Sequence, residues 1–196
     1  MVKSINILED EITEMALSSG AYIVSPISID DVVVANWVRL KCQYGCPSYS
    51  KKLSCPPYSP TPEDTRKVLQ EYSRAYLIGY EGSKLFSGDN HENMEELFPK
   101  VLMNIRKSLF EIEKHAFLSG YYKSFVYGFC GPCTYCETCV VEEQIYTCKY
   151  ATESRPSMEA SGIDVFKTVQ NAGLKLEVQS QVNLEELRMY TLLLIE

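Results

Sequence analysis

Apolar positions along the chain fall into helical and extended patterns that alternate. Leu8, Ile12 and Met15 share one helical face, which predicts a helix over residues 7–18 that Gly20 can end. Residues 31–35 (DVVVA) predict a strand. Thr61-Pro62-Glu63-Asp64 is a helix start, with Thr61 as N-cap and Pro62 in the first turn, and this helix should run to about Ser73. Residues 75–80 (AYLIGY) form a continuous apolar run and predict a buried strand.

Met94, Leu97, Val101, Ile105, Leu109, Ile112 and Ala116 recur at helical spacing and predict the longest helix, over 92–118. Asp89 or Asn90 can cap it and Gly120 can end it. Pro99 lies inside it and must either kink it or begin a second helix there. Residues 121–128 predict a strand, 163–172 a helix stopped by Gly173, 174–179 a half-buried strand, and 189–195 a last strand. Strands alternating with helices predict an α+β fold over 1–196, with one mixed β-sheet covered by helices. Two cysteine-rich loops, at about 42–58 and 130–150, interrupt this pattern.

Composition changes the picture little until the cysteines are counted. Apolar residues make up 45% and charged residues 23%, ordinary values for a globular chain. A formal net charge of −7 argues against a general binder of nucleic acid or anionic membrane. No stretch is apolar for long enough to suggest a membrane span, and the early acidic residues do not resemble a secretion signal. The expected location is therefore the cytoplasm. There, eight cysteines are not expected to pair as disulfides, so metal binding leads.

The second cysteine segment reads Cys130-Gly-Pro-Cys133-Thr-Tyr-Cys136-Glu-Thr-Cys139, followed later by Cys148. Cysteine at every third residue lets one loop present thiolates to successive corners of a cubane, with a further ligand supplied from a distance. The run approaches the bacterial ferredoxin pattern but lacks its Cys-Pro ending. The first segment holds Cys42, Cys46 and Cys55, the last two each followed by proline. Three cysteines are one short of a cubane and five are one too many. The count closes if Cys133, Cys136, Cys139 and Cys148 hold one [4Fe–4S] cluster while Cys42, Cys46, Cys55 and Cys130 hold another.

These residues resemble an uncharacterised family described as predicted metal-binding proteins, found largely in anaerobic bacteria and archaea. The resemblance rests on Lys41-Cys42, Cys55-Pro56-Pro57, Gly131-Pro132-Cys133, Cys136, Cys139, Cys148 and the run Arg155-Pro156-Ser157-Met158-Glu159-Ala160. It covers most of residues 35–175. The chain departs from the family pattern at Ala151, where a proline is expected, and Cys130 is an addition to it. The resemblance implies metal binding and no further activity.

Several other chemistries compete. Zinc on four cysteines usually separates two C-x2-C pairs by a dozen or more residues, unlike this continuous run. Cys130-Gly-Pro-Cys133 matches a thioredoxin-type C-x-x-C, but two further cysteines at the same spacing weaken that match. A radical-generating enzyme would need C-x3-C-x2-C, and Cys55 lies too far beyond Cys46. His91 and His115 are expected at helix ends or surfaces, and no catalytic set can be built from them. Tyr44, Tyr49, Tyr58, Tyr135, Tyr146 and Tyr150 lie near cysteines and either shield a cluster or simply pack. Three functions stay open: an electron carrier or accessory subunit serving a redox partner protein or larger redox complex; an enzyme with an open-coordination iron; and a structural zinc module. A deep pocket beside a three-cysteine site would favour the enzyme, and two four-cysteine sites near the surface would favour the carrier.

Overall fold

The two most apolar runs of the chain, β2 (Arg74–Glu81) and β4 (Arg188–Ile195), pair with each other at the centre of a four-stranded sheet. The computed structural model describes residues 2–86, 94–131, 133–179, 183 and 186–196. β1 (Ala21–Ile27) borders β2, and β3 (Ser124–Tyr127) borders β4, giving the order β1-β2-β4-β3. The α+β expectation holds, but every pairing in this sheet is antiparallel rather than mixed. Helix–strand alternation suggested parallel crossovers. Here the helices cover the faces, and although β2 and β3 run in the same direction, β4 lies between them and pairs antiparallel with both.

One face of the sheet carries Tyr76, Ile78, Tyr80, Val126, Leu193 and Ile195, packed against two helices. The first is α1 (Ile5–Ser18), which contributes Leu8, Ile12 and Ala16, all essentially inaccessible. The helix α5 (Met94–Leu118) adds Leu102, Ile105, Leu109, Ile112 and Ala116 to the same layer. Fully burying each Leu or Ile contributes about 1.5–3 kcal/mol, so this layer anchors the scaffold. α5 runs through Pro99 without interruption, and the capping residues expected at 89–90 lie outside the described residues.

The opposite face buries Ala75, Leu77, Tyr190, Leu192 and Leu194 under Met158, Ile163, Val165 and Val169. Three short helices belong to this side: α2 (Trp37–Gly45), α3 (Pro62–Leu69) and α6 (Val165–Asn171). A single turn, α4 (Gly82–Leu85), follows β2. α3 begins where expected. The Thr61 hydroxyl accepts from the Asp64 N–H, and the Asp64 carboxylate accepts from the Thr61 N–H. It stops at Leu69, short of Ser73.

Two strand expectations give way. Residues 31–35 are not a strand. Ser28 caps a 3-10 turn over Ile29–Asp31, and Val34 makes only a single bridge to Ile163. The edge strand lies earlier, at β1, where Pro26 sits opposite Tyr76. Residues 174–179 alternate in sequence without joining a ladder, and Val178 is 83% exposed. No described helix is long and apolar enough to cross a membrane.

Candidate metal centre

Both cysteine segments hang from one short stretch, Arg155 to Gly162. The second segment leaves β3 through Gly128 and returns at Ser157, and these two residues bridge in parallel. Gly128 N–H donates to Pro156 O at 2.9 Å, and Met158 N–H donates back to Gly128 O at 3.1 Å. A loop holding five cysteines is thus closed at its base. The first segment is fastened to the same stretch. Arg39 of α2 donates to Pro60 O at 2.7 Å and Ala160 O at 2.9 Å, and Ser59 donates to Ala160 O at 2.7 Å. Thr65 of α3 donates to Ser161 O at 2.7 Å. Gly162 turns the chain with φ +83, and a Cβ there would meet Pro62 at 2.6 Å. The Ser157 hydroxyl accepts from the Ala160 N–H in the 3-10 turn Glu159–Ser161.

Cys133, Cys136, Cys139 and Cys148 line one small cavity of about 10 Å³ together with Ser54 and Tyr135. Cys139 is 9% exposed and precedes a 3-10 turn, Val140–Glu143, whose two valines are buried and pin this end of the loop. Tyr150 N–H points at Cys148 Sγ from 3.4 Å, and Cys133 Sγ lies 3.9 Å from the Ser154 hydroxyl. Burial pushes the Cys136 thiol up, and Cys133, Cys148 and Cys139 push it further in the same direction.

Cys42 and Cys46 stand one turn apart, on α2 and at its end, a placement the sequence reading as a loop did not foresee. Burial and the neighbouring Cys46 push the Cys42 thiol up. Burial pushes Cys55 up to about 11, and Cys46, Cys42 and Cys133 add to the effect. Cys130 is exposed overall, yet the protein packed around its sulfur pushes the thiol up, and Glu159, Cys42 and Cys46 add to the effect. Cys42 and Cys46 therefore sit within electrostatic reach of both Cys55 and Cys130. Cys42, Cys46 and Cys130 open onto a cavity of about 1350 Å³ walled by aromatic residues such as Trp37, Phe129, Phe166 and Tyr190. Cys55 faces away, into a crevice of about 30 Å³ that it shares with Cys133.

Glu159, marked in the sequence only through the family resemblance, lines the large cavity with its Oε2 sealed from solvent and unpartnered among the described residues. Burial pushes its carboxyl up to about 7. Sequence reasoning missed Arg106 and Glu113, which come from α5, far from either cysteine segment. Arg106 lies in the crevice shared by Cys55 and Cys133. Glu113 holds Arg155 and also accepts from Val126 N–H at 2.8 Å. The tyrosines divide. Tyr135 and Tyr150 stack at 5.3 Å beside the second segment, and Tyr58 meets Tyr146 at 5.7 Å across the two segments. Tyr44 is 80% exposed and shields nothing. His115 is engaged by Glu11 at 2.8 Å, and His91 lies outside the described residues.

The donor set suits a sulfur-ligated metal group, because all eight thiols are free and both cysteine segments are tied to the stretch from Arg155 to Gly162. Among the described residues, no three Cys, His, Asp or Glu side chains converge on a point fit for a single metal ion.

A model of the family described as predicted metal-binding protein (DUF2284) matches residues 25–195. No curated protein and no solved structure matches the chain.

Proposed function

The chain belongs to that family of predicted metal-binding proteins, and from this premise we propose that it holds two [4Fe–4S] clusters and serves in electron transfer. Cys133, Cys136, Cys139 and Cys148 would hold one cluster, and Cys42, Cys46, Cys55 and Cys130 the other. The observation that carries the proposal is that Cys133, Cys136, Cys139 and Cys148 line one cavity, the first three at a strict three-residue spacing. A loop with cysteine at every third residue can offer thiolates to successive irons of a cubane, whereas zinc on four cysteines usually takes two C-x2-C pairs set well apart. The Tyr150 N–H aimed at Cys148 is a contact that stabilises a thiolate ligand.

Such clusters, when bound, take up and release single electrons. The first set lies near the surface, where a basic cytoplasmic redox partner or a larger redox complex could dock on this acidic chain. Tyr135 and Tyr150 limit water there.

A second reading has its own support. The second set opens onto a cavity of about 1350 Å³, larger than the roughly 300–1,000 Å³ of ordinary ligand sites. Three of its cysteines face that space and the fourth faces away, an arrangement suited to an iron with an open position for substrate. In this reading the surface set supplies electrons and the cavity set uses them.

The test is oxygen-free purification, with iron and acid-labile sulfide measured before EPR of the reduced protein. About eight of each per chain is expected for two cubanes. Zinc without sulfide would sink the proposal. Added cyanide separates the two readings, because it alters the spectrum of an open iron and leaves a four-cysteine cluster unchanged.

A further inference from the structure

Arg106 is a partly buried cation with no carboxylate partner among the described residues. It projects from α5 into the crevice that separates the two cysteine sets, beside Cys55 of one and Cys133 of the other. Its Nη1 is sealed from solvent and has no hydrogen-bond partner among the described residues. Its Nη2 reaches only Gly131 O, at 3.4 Å, a weak contact in the loop between Cys130 and Cys133. The guanidinium is held flat by the Phe129 ring, 5.1 Å from its centroid. The neighbouring cation, Arg155, is already matched by Glu113. Burial pushes Arg106 below its ordinary range, and Cys133, Tyr135, Cys55 and Cys130 are the groups that counter it.

A sealed N–H group without an acceptor is unfavourable, so a fold keeps one where an acceptor is due to arrive. Cys55 and Cys133 bring sulfur into that crevice from both sets, and Glu153, which also lines it, makes no hydrogen bond or ion pair with Arg106 among the described residues. We propose that Arg106 is the shared counter-cation of the two clusters, pairing with the anionic sulfur of each and raising the reduction potential of both. The proposal rests on the cluster reading above. A positive charge near a cluster stabilises the reduced, more negative state, so its loss lowers the potential. Because one cation serves both sets, both potentials fall together.

The experiment is an EPR-monitored redox titration of the loaded protein, comparing wild type with Arg106→Gln and Arg106→Lys. Both midpoints should move to more negative values in Arg106→Gln and return most of the way in Arg106→Lys. Unchanged midpoints in loaded Arg106→Gln, or a shift in only one, would overturn it. Arg106→Met guards against a merely structural role. Without metal it should be at least as stable as wild type, since a sealed N–H group without an acceptor is gone, and equal destabilisation with and without metal would overturn the proposal. If wild type takes up no iron and sulfide, the cluster reading fails by itself. Arg106 is then judged with cadmium alone, whose affinity should fall several-fold in Arg106→Gln. An unchanged cadmium affinity would overturn the counter-cation role.

Discussion

The guanidinium of Arg155 grips the carboxylate of Glu113 at two points, Nε to Oε2 at 2.9 Å and Nη2 to Oε1 at 2.5 Å. The side chains are 16% and 11% exposed, and Phe110 and Phe125 pack against the guanidinium. This pair joins the stretch that carries both cysteine segments to α5. Arg155→Ala would leave the Glu113 charge buried alone, at a cost of about 3–5 kcal/mol. Arg155→Lys should recover only part of this, because lysine cannot make the two-point contact. Urea unfolding of the metal-free protein measures both.

Single substitutions should dissect the two sets. Cys136→Ser is expected to lose about half of the iron and sulfide and keep the second cluster, and Cys42→Ser should do the reverse. Metal analysis paired with EPR checks this. A variant from one set that emptied both sites would contradict the division.

Glu159 gives the metal-free protein a pH dependence with a definite sign. In the folded chain its carboxyl holds a proton up to about 7, against 4.5 ordinarily. Between those values the folded state binds more protons than the unfolded one. The contribution to stability is therefore complete below about 4.5 and lost as pH rises through about 7. Glu159→Gln should flatten that slope and be more stable than wild type at pH 8, measured by urea midpoints across the range.

The first cysteine set encloses only about 10 Å³, so admitting a cluster requires its loop to rearrange around the metal. Removing metal by chelation without oxygen should therefore speed tryptic cleavage at the exposed Lys149 by at least about tenfold, since metal binding stabilises the ordered loop. Mass spectrometry of the early fragments would show it.

The α3 cap is a local test of the scaffold. Thr61→Ala removes a hydroxyl that accepts from Asp64 N–H at 3.1 Å and should cost about 1 kcal/mol. Iron content of the loaded protein should not change.

Legibility followed the range of the forces involved. α1, α3, α5 and α6 were visible because their caps and apolar spacing are local, and β2 and β4 because both their faces are buried. β1 was missed because Ser25 and Pro26 break its apolar run, while Val32, Val33 and Val34 imitate a strand but follow a capped 3-10 turn. Residues 174–179 alternate because Leu174 and Leu176 rest on the core, yet no neighbour among the described residues offers them a ladder. At the site, the cysteine spacing was plain to read. Arg106 and Glu113 were not, because nothing in the sequence near them says that α5 lies beneath the cysteine loops.

The strand order β1-β2-β4-β3 sets a schedule for synthesis. β4 pairs with both β2 and β3, yet it follows every cysteine in the chain. At roughly 5–20 residues per second, all eight thiols emerge from the ribosome seconds before the strand that completes their support. During that interval the cysteines are open to oxidation and to wrong metals. Loading of the correct metal must therefore wait for, or accompany, the closing of the sheet by Leu192, Leu193 and Leu194.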